Sequence, residues 1–123
     1  MDNLKNIQKS NNVIIFEQQI LRYILCMNNK ILEKYKKRSE IIKALAHPTR
    51  LFIIDFLSDG EKCVCEIVEQ VGSDISTVSK HLLLMKKAGL LEDEKRGLNV
   101  FYKVICPCVS SLFDCIESLG KKD

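Results

Sequence analysis

Apolar residues recur at intervals of three and four along most of the chain, and this spacing predicts a mainly helical protein. The first helical pattern covers residues 13–37. Ser39 is expected to cap a second helix. Pro48 is expected to open a third, because proline fits the first turn of a helix. The last helical pattern covers residues 109–119 and stops at Gly120.

Two short helical patterns in the middle of the chain are separated by Gly72. Two short helices joined by a turn that contains glycine form a helix-turn-helix. The inner face of the second helix is predicted to consist of Ile75, Val78, Leu82 and Met85. The side chains left on its outer face are small, polar or basic, namely Ser76, Thr77, Ser79, Lys80 and His81.

The pattern changes after Gly89, where residues 90–94 and 100–105 read as the two strands of a β-hairpin. The segment between them reads KRGLN and gives the hairpin a basic tip at Lys95 and Arg96. The second helix of a helix-turn-helix enters the major groove of DNA. We therefore expect the outer face of that helix to meet base edges, and the hairpin tip to lie over the neighbouring backbone or minor groove.

The composition fits one small globular domain, with 123 residues, 46% hydrophobic and 28% charged. The net charge of +3 is compatible with a nucleic-acid partner and equally with none.

No apolar run approaches the roughly 20 residues of a membrane helix, and the polar N-terminus lacks a secretory signal. We expect a cytoplasmic protein without a membrane partner. Residues 1–38 are expected to form a dimer-packing helical arm, and residues 39–123 the DNA-binding domain with a C-terminal dimerisation helix.

The cysteines add a chemical function to this picture. There are six, and four of them form two CxC pairs; the positions are Cys26, Cys63, Cys65, Cys106, Cys108 and Cys115. In a reducing compartment, clustered cysteines bind metal or sense redox state more often than they form a disulfide framework. The pairs therefore indicate a thiol site, whereas the isolated Cys26 is as readily explained as a buried structural residue.

The region between residues 40 and 119 contains, in this order, the segments ALAHPTR, CVCEI, STVSKHL, AGLL and RGLNVFYKV. Together they resemble the ArsR/SmtB family of winged helix-turn-helix transcriptional repressors. The resemblance implies a homodimer joined through its N- and C-terminal helices. It also implies an operator with two-fold symmetry and release from DNA when an inducer binds.

Cys63 and Cys65 resemble the CxC of family members that sense thiophilic ions. Thiolates favour soft ions such as As(III), Sb(III), Cd(II), Zn(II) or Cu(I). Side chains two residues apart on a regular helix point about 200° apart, so both bind one ion only if the helix start distorts. Members with three thiols in this helix have a cysteine where this chain has Val68, so Cys26 is the candidate third ligand. A second candidate site consists of Cys106, Cys108 and Cys115.

A redox-sensing repressor of the same fold is the main alternative, because a CxC pair, or Cys108 with Cys115, can oxidise to a disulfide. The thiols can also be structural, with some other inducer. A Cu(I) metallochaperone would show no sequence-specific DNA affinity, and a protein-interaction module would not depend on Lys80 or Arg96. An enzyme is not expected, since no nucleophile motif, phosphate loop or paired-carboxylate pattern occurs.

Overall fold

The structure, a computed structural model, describes residues 17–23, 25 and 29–121. By its internal contacts the chain divides into two units, Met1–Arg38 and Ser39–Asp123. The helices are α1 (Asn29–Leu45), α2 (Pro48–Phe56), α3 (Val64–Val71), α4 (Ile75–Lys87) and α5 (Val109–Gly120). The strands are β1 (Lys62–Cys63), β2 (Leu91–Arg96) and β3 (Asn99–Val104). The mainly helical fold with a small β-hairpin is therefore confirmed.

The helical pattern near the N-terminus is confirmed for residues 17–23 and 29–37. The separate helix expected to begin at Ser39 is wrong, because α1 runs without a break from Asn29 to Leu45. No glycine or proline stands between these two ends, so nothing in the local sequence stops the helix.

Helix α2 begins as its sequence predicts, with Pro48 in the first turn. His47 caps this helix, and its Nδ1 accepts a hydrogen bond from the backbone N–H of Thr49 at 3.1 Å. A cap of this kind satisfies one of the backbone donors that the first turn leaves without an intrahelical partner. Helix α2 then places Ile53 and Ile54 in the core, both almost completely buried.

Helices α3 and α4 form the predicted helix-turn-helix. Gly72 closes α3 with a φ of 74°, a left-handed conformation that glycine adopts without steric cost. The inner face of α4 is confirmed at Val78, Leu82 and Met85, which are buried. It is wrong at Ile75, which is 63% exposed, because this residue opens the helix and the packed stripe begins one turn later.

The predicted hairpin is confirmed, but β2 ends two residues later and β3 begins one residue earlier than expected. Strands β2 and β3 pair as far as Arg96 and Asn99, so the turn is reduced to Gly97 and Leu98. Gly97 has a φ of 62°, as tight hairpin turns require. Lys95 and Arg96 therefore belong to β2, and the residue at the tip is Leu98, which is fully exposed.

A third strand, β1, was not predicted from the sequence. Lys62 pairs with Tyr102 and Cys63 with Phe101, so the antiparallel sheet has the order β1-β3-β2. Two residues are too few to show the alternation by which a strand is recognised. This short pairing connects the start of α3 to the hairpin.

The core lies between α2, α3, α4 and the inner face of the sheet. Its most buried side chains are Ile53, Ile54, Ile67, Val78, Leu82, Met85 and Leu91. Helix α5 adds partly buried residues to this core, and Val109 and Phe113 pack against it. Within the described residues, no helix has the length and apolar character needed to cross a membrane.

Candidate nucleic-acid interface and cysteine pairs

The N-terminus of α4 is organised by the carboxylate of Asp74. Its Oδ1 accepts a hydrogen bond from the Thr77 hydroxyl at 2.6 Å, and its Oδ2 accepts from the Ser76 hydroxyl and from the Thr77 backbone N–H. The Ser76 hydroxyl, followed by that of Thr77, lowers the pKa of Asp74 to about 2. Two of the predicted DNA-contacting hydroxyls are therefore bound to an ionised carboxylate in the free protein.

The next two predicted residues, Ser79 and Lys80, lie on the exposed side of α4. Ser79 stands one turn after Ile75, and both residues border the same groove. Lys80 carries a cation in the first half of the helix, where the recognition helix of a helix-turn-helix meets DNA. These positions suit direct contact with a duplex.

His81, the last predicted residue of this face, is half-buried against α2. Its Nδ1 lies 3.3 Å from Nη1 of Arg50, and its ring centroid is 4.5 Å from that of His47. Arg50 is fixed in turn, since its Nε donates to the Ala44 carbonyl at 2.6 Å. Burial, followed by the charges of His47 and Arg50, lowers the pKa of His81. The ring thus ties the recognition helix to α2.

The hairpin presents its two predicted cations differently. Lys95 is exposed, whereas the guanidinium of Arg96 is bound by two carboxylates. Its Nη1 and Nη2 donate to the two carboxylate oxygens of Glu61 at 2.6 and 3.0 Å, and Nη2 also donates to Glu94 at 2.7 Å. The same group lies over the ring of Phe101, 4.7 Å from its centroid. Arg96 is therefore held on the protein.

Glu61 and Arg50 are two residues of this region that the sequence analysis missed. Glu61 is separated from Arg96 by 35 positions, and Arg50 from His81 by 31. No local pattern links residues that far apart. Only the pairing of β1 with β3, and the packing of α2 on α4, bring them together.

Cys63 and Cys65 lie on either side of the start of α3. Cys63 is the N-cap residue and has an extended backbone, and its Sγ accepts a hydrogen bond from the Cys65 backbone N–H at 3.3 Å. The two are joined as a disulfide. The idea that a helix must distort to bring them together is wrong, because Cys63 precedes the helix and only Cys65 is part of it.

This pair opens onto a groove of about 370 Å³ between α4 and the hairpin. Cys63 itself is buried, whereas Cys65 is exposed. The groove is lined by residues from α3, α4 and the hairpin of β2 and β3, which we call the wing. Among them are Val64, Ile75, Ser79, Leu98 and Val100. Any group bound to the two sulfurs would thus stand beside Ile75 and Ser79 on the exposed side of α4.

The other cysteines are arranged differently. Cys106 and Cys108 are joined as a second disulfide before α5, and Cys115 is a free, exposed thiol. Cys26 lies outside the described residues. Within the part of the chain that the structure describes, no three side chains of His, Cys, Asp or Glu are grouped to hold a metal ion. Cys63 and Cys65 would supply two soft donors only after reduction to thiols, so a metal site at this pair, with a third ligand, stays a prediction.

Comparison with known proteins gives one consistent result. The family model described as bacterial regulatory protein, arsR family, matches residues 47–93. An uncharacterized HTH-type transcriptional regulator of Methanocaldococcus jannaschii is 37% identical over 89 residues, which are 72% of this chain and 100% of that protein. The arsenical resistance operon repressor of Escherichia coli is 39% identical over 66 residues, 53% of this chain and 56% of that protein.

A solved structure agrees with this result. The homodimeric winged helix-turn-helix DNA-binding domain from Mycobacterium bovis has a TM-score of 0.67 and 28% identity, and the match covers 76% of this chain and 87% of that one. The similar proteins are transcriptional regulators and not enzymes.

Proposed function

We propose, from the premise that this chain belongs to the ArsR family of bacterial regulatory proteins, that it is a homodimeric repressor whose operator affinity is controlled by Cys63 and Cys65. One observation carries the proposal. The two sulfurs meet at the N-terminus of α3, in the groove that is also bordered by Ile75 and Ser79 of the recognition helix. Chemistry at the thiols therefore acts next to the DNA-contacting surface.

The recognition helix α4 supplies the main DNA contacts. Ser79 and Lys80 are exposed in its first half, and Ser76 and Thr77 stand at its start. Lys80 reaches phosphate or guanine, and the hydroxyls approach base edges closely. Lys95 of the wing adds a phosphate contact, which fixes the position of the protein without reading sequence.

The inducer that the site suits is a soft ion. Two thiolates are ligands for As(III), Sb(III), Cd(II), Zn(II) or Cu(I), and As(III) is favoured by the similarity to arsenical resistance operon repressors. A helix N-terminus favours thiolate, and Cys63 is the N-cap residue of α3, where its sulfur accepts a hydrogen bond from the Cys65 N–H. The ion and the operator favour different conformations, and such coupling typically amounts to about 1–3 kcal/mol.

A second candidate is a redox-sensing repressor. It is favoured by a specific observation, the bond between Cys63 and Cys65. In this case oxidation of the two thiols, and not ion binding, lowers the affinity for DNA. Both candidates use the same pair and differ in what acts on it.

The deciding experiment is a DNA-binding titration followed by fluorescence anisotropy. The duplex is one that the reduced protein selects from a randomised library. As(III), Cd(II) and Zn(II) are added under anaerobic reducing conditions, and a mild oxidant is added in a separate series. Release by a stoichiometric ion supports the first candidate, whereas release by oxidant alone, reversed by a thiol reductant, supports the second.

Cys65→Ser tests the assignment of the site. We expect this variant to bind the duplex like the wild type and to lose the response to the ion or the oxidant. Cys115→Ser is the matched control, since it removes an exposed thiol outside the pair, and it is expected to stay inducible. If Cys65→Ser remained fully inducible, the site would have to be reassigned to the second candidate site, Cys106, Cys108 and Cys115.

A further inference from the structure

The bonds that Arg96 makes are unusual for a cation on a DNA-binding wing. Its guanidinium donates three hydrogen bonds of 2.6–3.0 Å, two of them in a fork to Glu61 and one to Glu94. A guanidinium bound in this way has to leave its carboxylate partners before it can form a fork with a phosphate, which is another preferred partner of arginine.

The same ion pair is connected to the thiol site. Glu61 precedes Cys63 by two residues, and Cys63 pairs with Phe101 in the sheet. The Arg96 guanidinium lies over the ring of Phe101. In the sheet, Phe101 of β3 pairs with Cys63 of β1 on one side and with Glu94 of β2 on the other. Two of the partners of Arg96, Phe101 and Glu94, thus lie in one row of the sheet with Cys63, and the third, Glu61, directly precedes β1. Cys63 is therefore connected to Arg96 by two short routes, one through Glu61 and one through Phe101.

We propose that Glu61 is a restraining residue, which holds Arg96 on the protein while Cys63 and Cys65 are joined and releases it to a DNA phosphate when the pair is reduced. This inference rests on the proposed function. The bond between the sulfurs closes a small ring and thereby fixes the backbone from Cys63 to Cys65. Reduction by an added dithiol opens that ring: the dithiol gives two electrons and two protons and becomes its own disulfide. Glu61 can then move with the loosened end of β1.

The test compares Glu61→Gln with the wild type in both thiol states. Binding to the selected duplex is measured over a range of salt concentrations. With Cys63 and Cys65 joined as a disulfide, Glu61→Gln is expected to bind the duplex more tightly than the wild type. The slope of log affinity against log salt concentration is expected to be steeper by about 0.9, the value for one added phosphate contact. In the reduced state the two proteins are expected to have the same slope.

Two further variants separate the restraint from a simple loss of negative charge. Glu92→Gln makes the same charge change on the hairpin, but its residue pairs with Lys103 and not with Arg96, so no change in slope is expected. Glu61→Gln combined with Arg96→Gln is expected to lose the gain. The inference is overturned if Glu92→Gln reproduces the gain, if the double variant keeps it, or if Glu61→Gln gives the same result in both thiol states.

Failure of the proposed function would give a different experimental result from failure of the role of Glu61. Wild-type protein that selects no duplex in either thiol state would overturn the repressor proposal, and this inference with it. Wild-type protein that binds a duplex and responds to thiol chemistry, with no special effect of Glu61→Gln, would overturn only the role of Glu61.

Discussion

The ring of His81 joins the recognition helix to the rest of the domain. It lies tilted against the ring of His47, the cap of α2, and it faces Arg50, which is itself bound to the carbonyl of Ala44. A proton on His81 would place a second positive charge against Arg50 in a half-buried site. The neutral ring, with Nδ1 as acceptor, is therefore the form that holds α4 in place.

This arrangement predicts a dependence of stability on pH. The pKa of His81 is lowered below its ordinary value of 6.5 in the folded protein, so the unfolded chain binds the proton more readily. The stabilisation is complete above about pH 6.5 and is lost as the pH falls through that value towards the lowered one. Urea unfolding at about pH 7.5 and about pH 5.5 measures the loss.

The control for this prediction is His81→Gln, whose side chain can still accept a hydrogen bond from Arg50 but does not titrate. We expect a smaller loss of unfolding free energy between the two pH values in this variant than in the wild type. Equal losses in the two proteins would show that His81 has no part in the pH dependence.

At the scale of elements, most of the fold could be predicted from periodicity and from the residues that stop helices. Pro48 and Gly72 mark ends because their backbones restrict or permit particular conformations. The prediction of a helix start at Ser39 is wrong because a serine caps a helix only where the chain leaves the helical conformation, and α1 continues through this residue. Strand β1 was not predicted because it is recognised only by its pairing with β3, which lies some 40 positions further along the chain.

The candidate site was predictable to a similar extent. The exposed side of α4 follows from its period, which correctly left Ser79 and Lys80 outside. The engagement of Arg96 by Glu61 was not predictable, because it depends on the sheet register and not on spacing. The bond between Cys63 and Cys65 was one of the alternatives that the CxC spacing left open, whereas the position of Cys63 before α3, as its N-cap residue, was not predicted.

Helix α4 leads to a prediction about DNA binding. Lys80→Ala is expected to weaken binding of the selected duplex and to make its salt slope shallower by about 0.9 if Lys80 contacts one phosphate. The affinity for the inducing ion is expected to stay the same, because the side chain does not line the groove beside the thiols. Anisotropy measures the first effect, and calorimetric titration of the reduced, DNA-free protein measures the second.

Lys121→Ala is the charge-matched control for this experiment. This exposed lysine follows α5 and lies outside the helix-turn-helix and the wing. Its removal changes the net charge as Lys80→Ala does, and it is expected to leave the slope unchanged. An equal change of slope in both variants would indicate a general charge effect and not a contact of α4.

At the scale of the whole molecule, helix α5 has an apolar side that its own domain does not cover. Leu112, Ile116 and Leu119 follow one another at helical spacing and are 43%, 52% and 85% exposed. Small domains often bury such residues by forming dimers. A dimer also suits a repressor, because it places two recognition helices on half-sites about one helical turn of DNA apart.

A dimer joined through α5, as proposed, predicts a specific effect of charge on this helix. Ile116→Glu would put a carboxylate into the apolar contact, and we expect the protein to become monomeric and to lose most of its affinity for a duplex with two half-sites. Light scattering after gel filtration measures the mass. Ser118→Glu is the control, because it adds the same charge on the other side of the helix, where the serine hydroxyl bonds only to the Asp114 carbonyl. A dimeric Ile116→Glu variant with normal affinity would show that the two copies are joined elsewhere.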